Sequence, residues 1–402
     1  MEEGERGTAR TLRERNRERV IAALRVLGVA SRADVARHTG LSRSTVSSIV
    51  GDLQKDGVIV DRGSNGPLAS GVGRPAAPIA LDPSAGLAVG IDFGKRHLSV
   101  AVADLSHTVL AEIRSEMAEG YEARLGLARA AELVGQVLAD AGEARDRVLG
   151  VGLGLPGPVH HTGVVGSPAI LPGWTGVRAA DEMEGRLDLP VHFENDANLG
   201  ALAEYFWGAG AGCRHIAYLK VATGIGAGIV IDGHLFRGAG GTAGEIGHTT
   251  INEAGHLCRC GNRGCLETYA SAPAIAGLLH VLGEDLEPEQ VLERAREGDA
   301  CCRRVLADAG RHLGVAVADL CNVFNPERIV VGGSIGSAGE LLLDPLRESV
   351  RLRAIPSAVE DVEIVPGQLG ERAELLGALA LVLQQAGSVA GGRQQAGEVR
   401  SA

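Results

Sequence analysis

Three of the seven cysteines in this 402-residue chain lie in one short stretch, as Cys258, Cys260 and Cys265, and His248 precedes the first of them by ten positions. Three thiolates and one imidazole form a closed tetrahedral ligand set for Zn²⁺, with no position left for a water molecule. We therefore predict a structural zinc site rather than a hydrolytic one. Two alternatives stay open: His256 as the nitrogen ligand, or a loop of reduced thiols without metal.

Two carboxylates bracket this stretch, since Glu245 lies three residues before His248 and Glu267 lies two residues after Cys265. A zinc-bound imidazole keeps its other ring N–H for a hydrogen bond. One donor flanked by carboxylate acceptors would suit the hydroxyl groups of a sugar ring. The alternative is that both glutamates are solvated loop residues.

The composition favours a protein of the reducing cytoplasm. The cysteine count is odd, and three cysteines are assigned to zinc, which does not fit a disulfide framework. We expect no signal peptide, because no apolar run follows a positive segment near residue 1, and no membrane partner, because no apolar run reaches the ~20 residues that span a membrane. Residues 1–80 carry 13 basic and 9 acidic side chains, a net +4, whereas the rest of the chain carries a net −15. A basic head on an acidic body suggests that the head meets a polyanion.

The head has the pattern of a winged helix-turn-helix. We expect a polar, disordered arm over about the first 15 residues, then a helix that ends near residue 27. Ser31 and Ser42 would cap a second and a third helix, and Gly40 would end the second. Strands at 58–63 and 78–81 flank a loop rich in glycine, serine and proline, which predicts a wing.

The amino-terminal end of the third helix would face the major groove, and the wing would contact phosphate or the minor groove. The residues assigned to DNA are Arg43, Ser44, Thr45, Ser47 and Arg74. One reading helix per chain predicts a homodimer or homotetramer on an inverted repeat of double-stranded operator DNA. A three-helix bundle that docks a protein is the alternative.

The stretch around the cysteines resembles the ROK family of bacterial sugar kinases and sugar-responsive repressors. The shared motif is G-x-x-G-E-I-G-H followed by C-x-C-G-x-x-G-C-L-E-T, and the resemblance runs from about residue 16 to residue 385. It implies that His248 binds both zinc and sugar and that Glu245 and Glu267 bind sugar. It also implies an α/β fold, with the winged helix-turn-helix followed by a two-lobed actin-like ATPase (ribonuclease H-like) sugar-kinase fold.

The resemblance locates the loops that bind ATP in the family's kinases, and in this chain the first of them is altered. Lys95 and Arg96 follow the Asp-x-Gly motif where the kinases have a second glycine and a threonine. Their side chains crowd the backbone approach to phosphate, although their charge could still attract one, so we expect no ATP cofactor. The corresponding loop positions are Asp92, Gly94, Thr223, Gly224, Gly226, Gly332 and Gly333.

A strand ending at residue 194 delivers Asn195 and Asp196 to the start of a helix. In the family's kinases the aspartate is the general base that accepts a proton from the sugar hydroxyl. By resemblance that catalytic role falls on Asp196 if the chain is an active kinase, and sugar binding falls on both residues.

These expectations give one leading function and two alternatives. The leading function is a transcriptional regulator, a repressor of carbohydrate genes, whose body binds a sugar or sugar phosphate. The alternatives are an active ATP-dependent, glucokinase-like sugar kinase that carries a DNA-binding head, and a body that binds another protein. The expected segments are the arm at 1–15, the winged helix-turn-helix at 16–82, lobe I at 85–197 with a carboxyl-terminal helix at 371–386, lobe II with the zinc loop at 198–370, and a flexible tail at 387–402.

Overall fold

The computed structural model describes residues 2–62, 77–157, 172–280, 283 and 285–389. These residues form a small amino-terminal head and a large body of two lobes. No helix in this part of the chain is long and apolar enough to cross a membrane.

The head contains α1 (Glu2–Leu27), α2 (Arg32–Thr39), α3 (Arg43–Lys55), β1 (Ile59–Asp61) and β2 (Ile79–Leu81). The expected caps are present, because Ser31 forms a capping box with Asp34 and Ser42 caps the start of α3. β1 and β2 pair antiparallel as the strands of a wing. The loop at 63–76 that would form the wing tip, including Arg74, lies outside the described residues.

The arm expected to be disordered at residues 1–15 is helical from Glu2 onwards. Its first dozen residues lack an apolar stripe, but glutamate, arginine and alanine are good helix formers, so α1 extends beyond the segment that packs. Ion pairs hold the next part of α1 to α3, between Arg13 and Asp52 at 2.5 Å and between Arg17 and Asp56 at 2.7 Å. Apolar periodicity therefore predicted where the helix packs and not where it begins.

Lobe I contains β3 (Leu87–Phe93), β4 (His97–Asp104), β5 (Val109–Glu116), α4 (Ala123–Asp140), β6 (Val148–Leu155), α5 (Ala179–Leu187) and β7 (Val191–Asn195). The strands form one sheet in the order β5-β4-β3-β6-β7, in which β3, β6 and β7 are parallel. α4 and α5 bury apolar side chains against one face of this sheet. Because β3 and β7 end at the same edge, Asp92 and Asn195 lie at that edge, which is where ligands bind in open α/β sheets.

Lobe II begins with α6 (Asp196–Trp207) and continues with β8 (His215–Val221), β9 (Ile225–Ile231), β10 (His234–Leu235), α7 (Glu267–Ala270), α8 (Ala272–His280), α9 (Pro288–Glu297), α10 (Ala300–Phe324), β11 (Arg328–Gly332), α11 (Gly333–Gly336), α12 (Glu340–Arg353), α13 (Pro356–Val359) and β12 (Glu363–Pro366). Its sheet has the order β10-β9-β8-β11-β12, with β8, β11 and β12 parallel. α10 and α12 pack on the outer face of this sheet.

The final helix, α14 (Ala373–Val389), packs with α6 between the two sheets. Two glycines allow this close packing. A Cβ at Gly377 of α14 would lie 2.0 Å from the carbonyl oxygen of Leu199, and one at Gly152 of β6 would lie 1.9 Å from that of Ala378. α14 continues past the expected end at residue 386, and the rest of the expected tail, from residue 390, lies outside the described residues.

Candidate functional site

The three cysteines and His248 converge on one point in lobe II. Their ligand atoms all lie within 4.8 Å of one another. The Sγ atoms of Cys260 and Cys265 are 3.7 Å apart, and Sγ of Cys258 lies 3.6 Å from Nδ1 of His248. With bonds of about 2.3 Å to sulfur and 2.0 Å to nitrogen, the sulfur–sulfur and sulfur–nitrogen edges of a tetrahedral zinc site would be about 3.8 and 3.5 Å. The side chains present therefore fit a structural zinc ion.

The segment that carries these ligands, residues 248–267, is here called the cysteine loop. It folds back on itself through backbone bonds, such as the 2.7 Å bond from N–H of Cys258 to the carbonyl of Asn262. Gly264 has a φ of 64°, and a Cβ there would lie 1.6 Å from the carbonyl oxygen of Asn252, so only glycine fits. His256, the other candidate ligand, is not part of the cluster, and its ring lies 6.1 Å from that of Tyr269.

The carboxylates predicted to bind sugar lie beside the cysteine–histidine cluster. Glu267 is buried; its Oε1 lies 2.7 Å from Nη2 of Arg259, and its Oε2 accepts the N–H of Ile225 at 3.1 Å. Burial, together with the nearby carboxylates of Asp196 and Glu267, raises the pKa of Glu245 to about 7. Glu245, Glu267 and Asp196 therefore lie close enough for their charges to influence one another, and we call the region between them the cleft. Nδ1 of His248 faces the cysteines, which leaves Nε2 as the ring nitrogen for a ligand.

Asp196 does not stand alone as a base. Its Oδ2 accepts a hydrogen bond from Nζ of Lys220 at 2.8 Å, and the same ammonium lies 2.7 Å from Oε1 of Glu374, at the start of α14. Burial lowers the pKa of Lys220, but the nearby carboxylates of Asp196, Glu374 and Asp92 together raise that pKa well above its usual range. Lys220 thus stays charged and holds Asp196 in an ion pair. The sequence analysis did not identify Lys220, although it is one of only three lysines in the chain.

Asn195 acts as the N-cap of α6. Its Oδ1 accepts the N–H groups of Ala197 at 2.8 Å and Asn198 at 3.3 Å, and its Nδ2 donates to the carbonyl of Gly157 at 2.7 Å. The side chain thus fixes the start of α6, which carries Asp196, and also the loop after β6. In this arrangement Asn195 positions its neighbours through bonds to the backbone.

The first loop resembling a phosphate loop is filled by a side chain of the chain itself. His97 Nε2 lies 2.9 Å from Oδ2 of Asp92, and a Cβ at Gly94 would lie 2.1 Å from the His97 ring. The N–H of Gly94 is bonded to the carbonyl of His97, so it is not available to phosphate. Sequence reasoning weighed Lys95 and Arg96 as the obstacle and did not identify His97.

The second glycine-rich turn, between β8 and β9, packs closely against its surroundings. A Cβ at Gly226 would lie 3.2 Å from that of Ala197, and one at Gly224 would lie 2.9 Å from Oε2 of Glu267. Farther along, Gly333 has a φ of 83°, and a Cβ there would lie 2.5 Å from the carbonyl oxygen of Val221. Packing therefore accounts for these glycines without a nucleotide.

The outer surface of α3 presents the residues assigned to DNA. Arg43, Ser44 and Ser47 are exposed and Thr45 is half-buried, whereas Val46 and its helical neighbours face the core. The hydroxyls of Ser44 and Thr45 lie 2.9 and 2.8 Å from that of the cap residue Ser42. Arg43 makes no hydrogen bond or ion pair with the part of the chain that the structure describes. An exposed arginine at the start of a reading helix is the kind of side chain that contacts a base edge in such domains, and this keeps Arg43 as the predicted base contact.

Replacing Arg43 with Ala should weaken binding to the preferred operator by roughly 1–3 kcal/mol and relax specificity at one position of each half-site, because a bidentate contact to guanine would be lost. Equilibrium binding to single-base operator variants measures this effect. Lys55→Ala, at the far end of α3, is the matched control and should leave the base preference unchanged. Equal weakening on all sequences would instead identify Arg43 as a phosphate contact.

The head and the body meet at Arg25 of α1. Its Nη2 donates to the carbonyl oxygen of Leu383 in α14 at 2.5 Å, and its guanidinium lies 5.6 Å from the ring centroid of Phe206. Burial lowers the pKa of Arg25 to about 10, partly opposed by Glu18, so it remains charged at neutral pH. The sequence analysis missed this contact. The sequence feature that points to this contact is the position of Arg25, which follows Ile21 of the apolar stripe of α1 by four residues.

The chain matches the ROK family over residues 88–385 and a winged helix-turn-helix DNA-binding domain over residues 13–60. The chain belongs to the ROK family. It is 31% identical to the xylose repressor of Caldicellulosiruptor bescii, a match that covers 88% of this chain and 92% of that protein. It is 34% identical to the glucokinase of Thermotoga maritima, covering 74% of this chain and 98% of that enzyme.

A crystal structure of a ROK family transcriptional regulator, a homologue of the Escherichia coli MLC protein, shares the fold. Its TM-score is 0.77 at 27% identity, and the match covers 94% of this chain and 97% of that one. The match to the xylose repressor is long enough to include both head and body. The match to the glucokinase covers a smaller part of this chain, about the length of the body alone. With its winged helix-turn-helix, this ROK protein is a DNA-binding transcriptional regulator.

Proposed function

We propose that a sugar bound in the cleft of this ROK regulator changes the affinity of its head for operator DNA, and that the protein represses genes of carbohydrate metabolism. The observation that carries the proposal is that Glu245 and Glu267 lie next to the cysteine–histidine cluster and close enough to Asp196 to feel its charge, in a chain that also has a winged helix-turn-helix. The xylose repressor among its relatives supports the sugar response.

α14 supplies a physical connection between the cleft and the head. At its start, Glu374 pairs with Lys220, which also holds Asp196 in the cleft. Farther along, the carbonyl of Leu383 accepts a hydrogen bond from Arg25 of the head. A sugar that competes for Asp196 would therefore disturb a network that ends at the base of the DNA-binding domain. A sugar can change the operator affinity only by the factor by which it binds one arrangement of head and body more tightly than another.

Zinc is part of the proposal as a structural ion. Cys258, Cys260, Cys265 and Nδ1 of His248 would hold it, and the ion would fix the orientation of the His248 ring toward the sugar. The other partners are an inverted-repeat operator and a second copy of the chain, since one α3 reads only one half-site. We place the protein in the cytoplasm, where its DNA lies.

The kinase alternative is disfavoured by two contacts. His97 occupies the space beside Gly94, and Lys220 engages the carboxylate that would act as the base. We therefore expect no measurable phosphorylation of glucose or xylose in the presence of ATP and Mg²⁺. Turnover within the usual enzyme range of ~1 to 10³ s⁻¹ would establish the kinase function instead.

The test of the proposal is operator affinity with and without a sugar, in the wild type and in Glu245→Ala. A panel of aldoses and their phosphates should contain one that shifts wild-type affinity by about 5–150-fold, the usual range of allosteric coupling. The variant should bind the operator normally and lose the shift. Glu253→Ala, an exposed glutamate of the adjoining cysteine loop, is the control and should keep the shift. If no sugar binds the wild-type body, the sugar site is refuted and a protein effector takes its place.

A further inference from the structure

A cavity of about 660 Å³ opens in lobe II, with walls formed by α12, α13 and β12. β12 is the last strand of the order β10-β9-β8-β11-β12, so the cavity lies at an edge of this sheet. Its volume falls within the range of about 300–1,000 Å³ that sites for small molecules occupy. None of the residues assigned to zinc or sugar is among the described residues that line it. A ligand here would therefore be separate from one in the cleft.

The charged side chains of the described cavity wall are three arginines and one glutamate, namely Arg328, Arg347, Arg351 and Glu363. Arg328 pairs with Glu363 through Nη2 and through Nε at 2.8 Å, and its Nη1 donates to the carbonyl of Ala209 at 2.6 Å. The carboxylate of the wall is thus matched by one arginine, and two more guanidinium groups remain beside it.

Arg347 covers the free edge of β12. The N–H groups of Glu363 and Gly367 bond to the backbone of β11 and the residue before it, so Ile364 and Pro366 face away from β11. Nε and Nη2 of Arg347 donate to the carbonyl of Ile364 at 3.0 and 2.8 Å, and Pro366 has no N–H to offer. An extended peptide could not pair with this edge as an added strand. The cavity is therefore suited to a small ligand.

Arg351 contributes a positive charge without a partner. Arg347, four positions earlier on α12, pairs with Glu340 and with Asp344, whose Oδ1 lies 3.1 Å from Nη1. Arg351 is exposed and makes no hydrogen bond or ion pair with any residue that the structure describes. Two arginines four positions apart on a helix repel each other. An oxygen anion beside Arg351 would relieve this repulsion and would find the five N–H donors of a guanidinium group.

We infer that this cavity binds a small organic anion, a carboxylate or phosphate monoester with an apolar body, and that Arg351 binds its charged group. The apolar body would lie against the aliphatic side chains of the wall, which are Val350, Val359, Val362, Ile364 and Val365. The inference goes beyond the proposed function and does not depend on a sugar in the cleft.

The experiment is calorimetric titration of the full chain with phenyl phosphate and with benzoate. Benzyl alcohol is the neutral match, and inorganic phosphate is the anion without an apolar body. The variants are Arg351→Gln and, as a control on the same helix, Arg353→Gln. Nη1 of Arg353 donates to the hydroxyl of Ser349 at 2.9 Å, and Arg353 is not among the lining residues, so the control removes the same charge outside the cavity. Glu245→Ala tests whether the anion binds in the cleft instead.

We expect phenyl phosphate or benzoate to bind at least about tenfold more tightly than benzyl alcohol. Arg351→Gln should weaken that anion by about tenfold, the size of a lost hydrogen bond to a charged group. Arg353→Gln and Glu245→Ala should leave its affinity within about twofold of the wild type, because neither residue lines the cavity.

Each of several results would overturn the inference. They are equal binding of benzyl alcohol, equal weakening by the two arginine variants, and loss of anion binding in Glu245→Ala. Inorganic phosphate that binds as tightly as phenyl phosphate would refute the apolar body. A capped peptide of alternating aspartate and valine that binds where the small anions do not would make the cavity a protein contact. The sugar titrations are separate measurements, so none of these results decides the proposed function.

Discussion

Replacing Cys265 with Ser is expected to reduce bound zinc from about one ion per chain to almost none and to weaken sugar binding more than tenfold. Cys265 is fully buried, and its sulfur lies 3.7 Å from that of Cys260, so a hydroxyl cannot maintain the ligand set. Much of the cysteine loop lies outside regular secondary structure, so metal binding would supply a large part of its folding free energy. Without the ion, His248 would lose its fixed orientation in the cleft.

Elemental analysis and calorimetric titration measure the two effects. Cys301→Ser is the matched control, because Cys301 is an exposed thiol on α10 outside the cluster. Operator binding by Cys265→Ser is a further measurement. The head has its own apolar core, so this variant should still bind its operator. A Cys265→Ser protein that retains a full equivalent of zinc would show that the ligand set is assigned wrongly. Unchanged sugar affinity in metal-free protein would show that sugar binding does not depend on the metal.

Replacing Arg25 with Ala is expected to uncouple the sugar from DNA, so that the wild-type shift in operator affinity falls to less than about twofold, from the usual 5–150-fold. The substitution removes the bond from α1 to the carbonyl of Leu383 and the contact with the Phe206 ring. It leaves α3, with the residues assigned to DNA, and the cleft unchanged. Sugar affinity measured in the absence of DNA should therefore remain within about twofold of the wild type.

Arg13→Ala is the matched control for Arg25, because Arg13 lies on the same helix but pairs with Asp52 inside the head. Operator binding with and without the sugar, for both variants, measures the coupling. By reciprocity, operator DNA should also lose its effect on sugar affinity in Arg25→Ala. A full sugar response in Arg25→Ala would mean that the head and body communicate by another route, such as the bond between His234 and Glu18.

Local sequence was sufficient for α2, α3 and the two strands of the head. The capping serines and the stripe that includes Val46 and Leu53 depend only on neighbours within one or two turns, so α2 and α3 begin and pack as predicted. The start of α1 was wrong because its first dozen residues are helical without an apolar stripe, and periodicity detects burial rather than helix formation.

For the candidate site, the sequence identified the three cysteines of the cluster, because thiols within eight residues can meet at one point whatever the rest of the fold. It favoured His248 and left His256 open as the histidine, since that choice depends on which ring the folded loop turns toward the sulfurs. Only the tertiary structure placed Lys220 against Asp196, His97 over Gly94 and Arg25 against Leu383. Two of these contacts join residues 24 and 358 positions apart, and all three depend on the direction of a long or flat side chain. Such directions are set by the packing around each side chain in the folded protein, which the pattern of residue types does not encode.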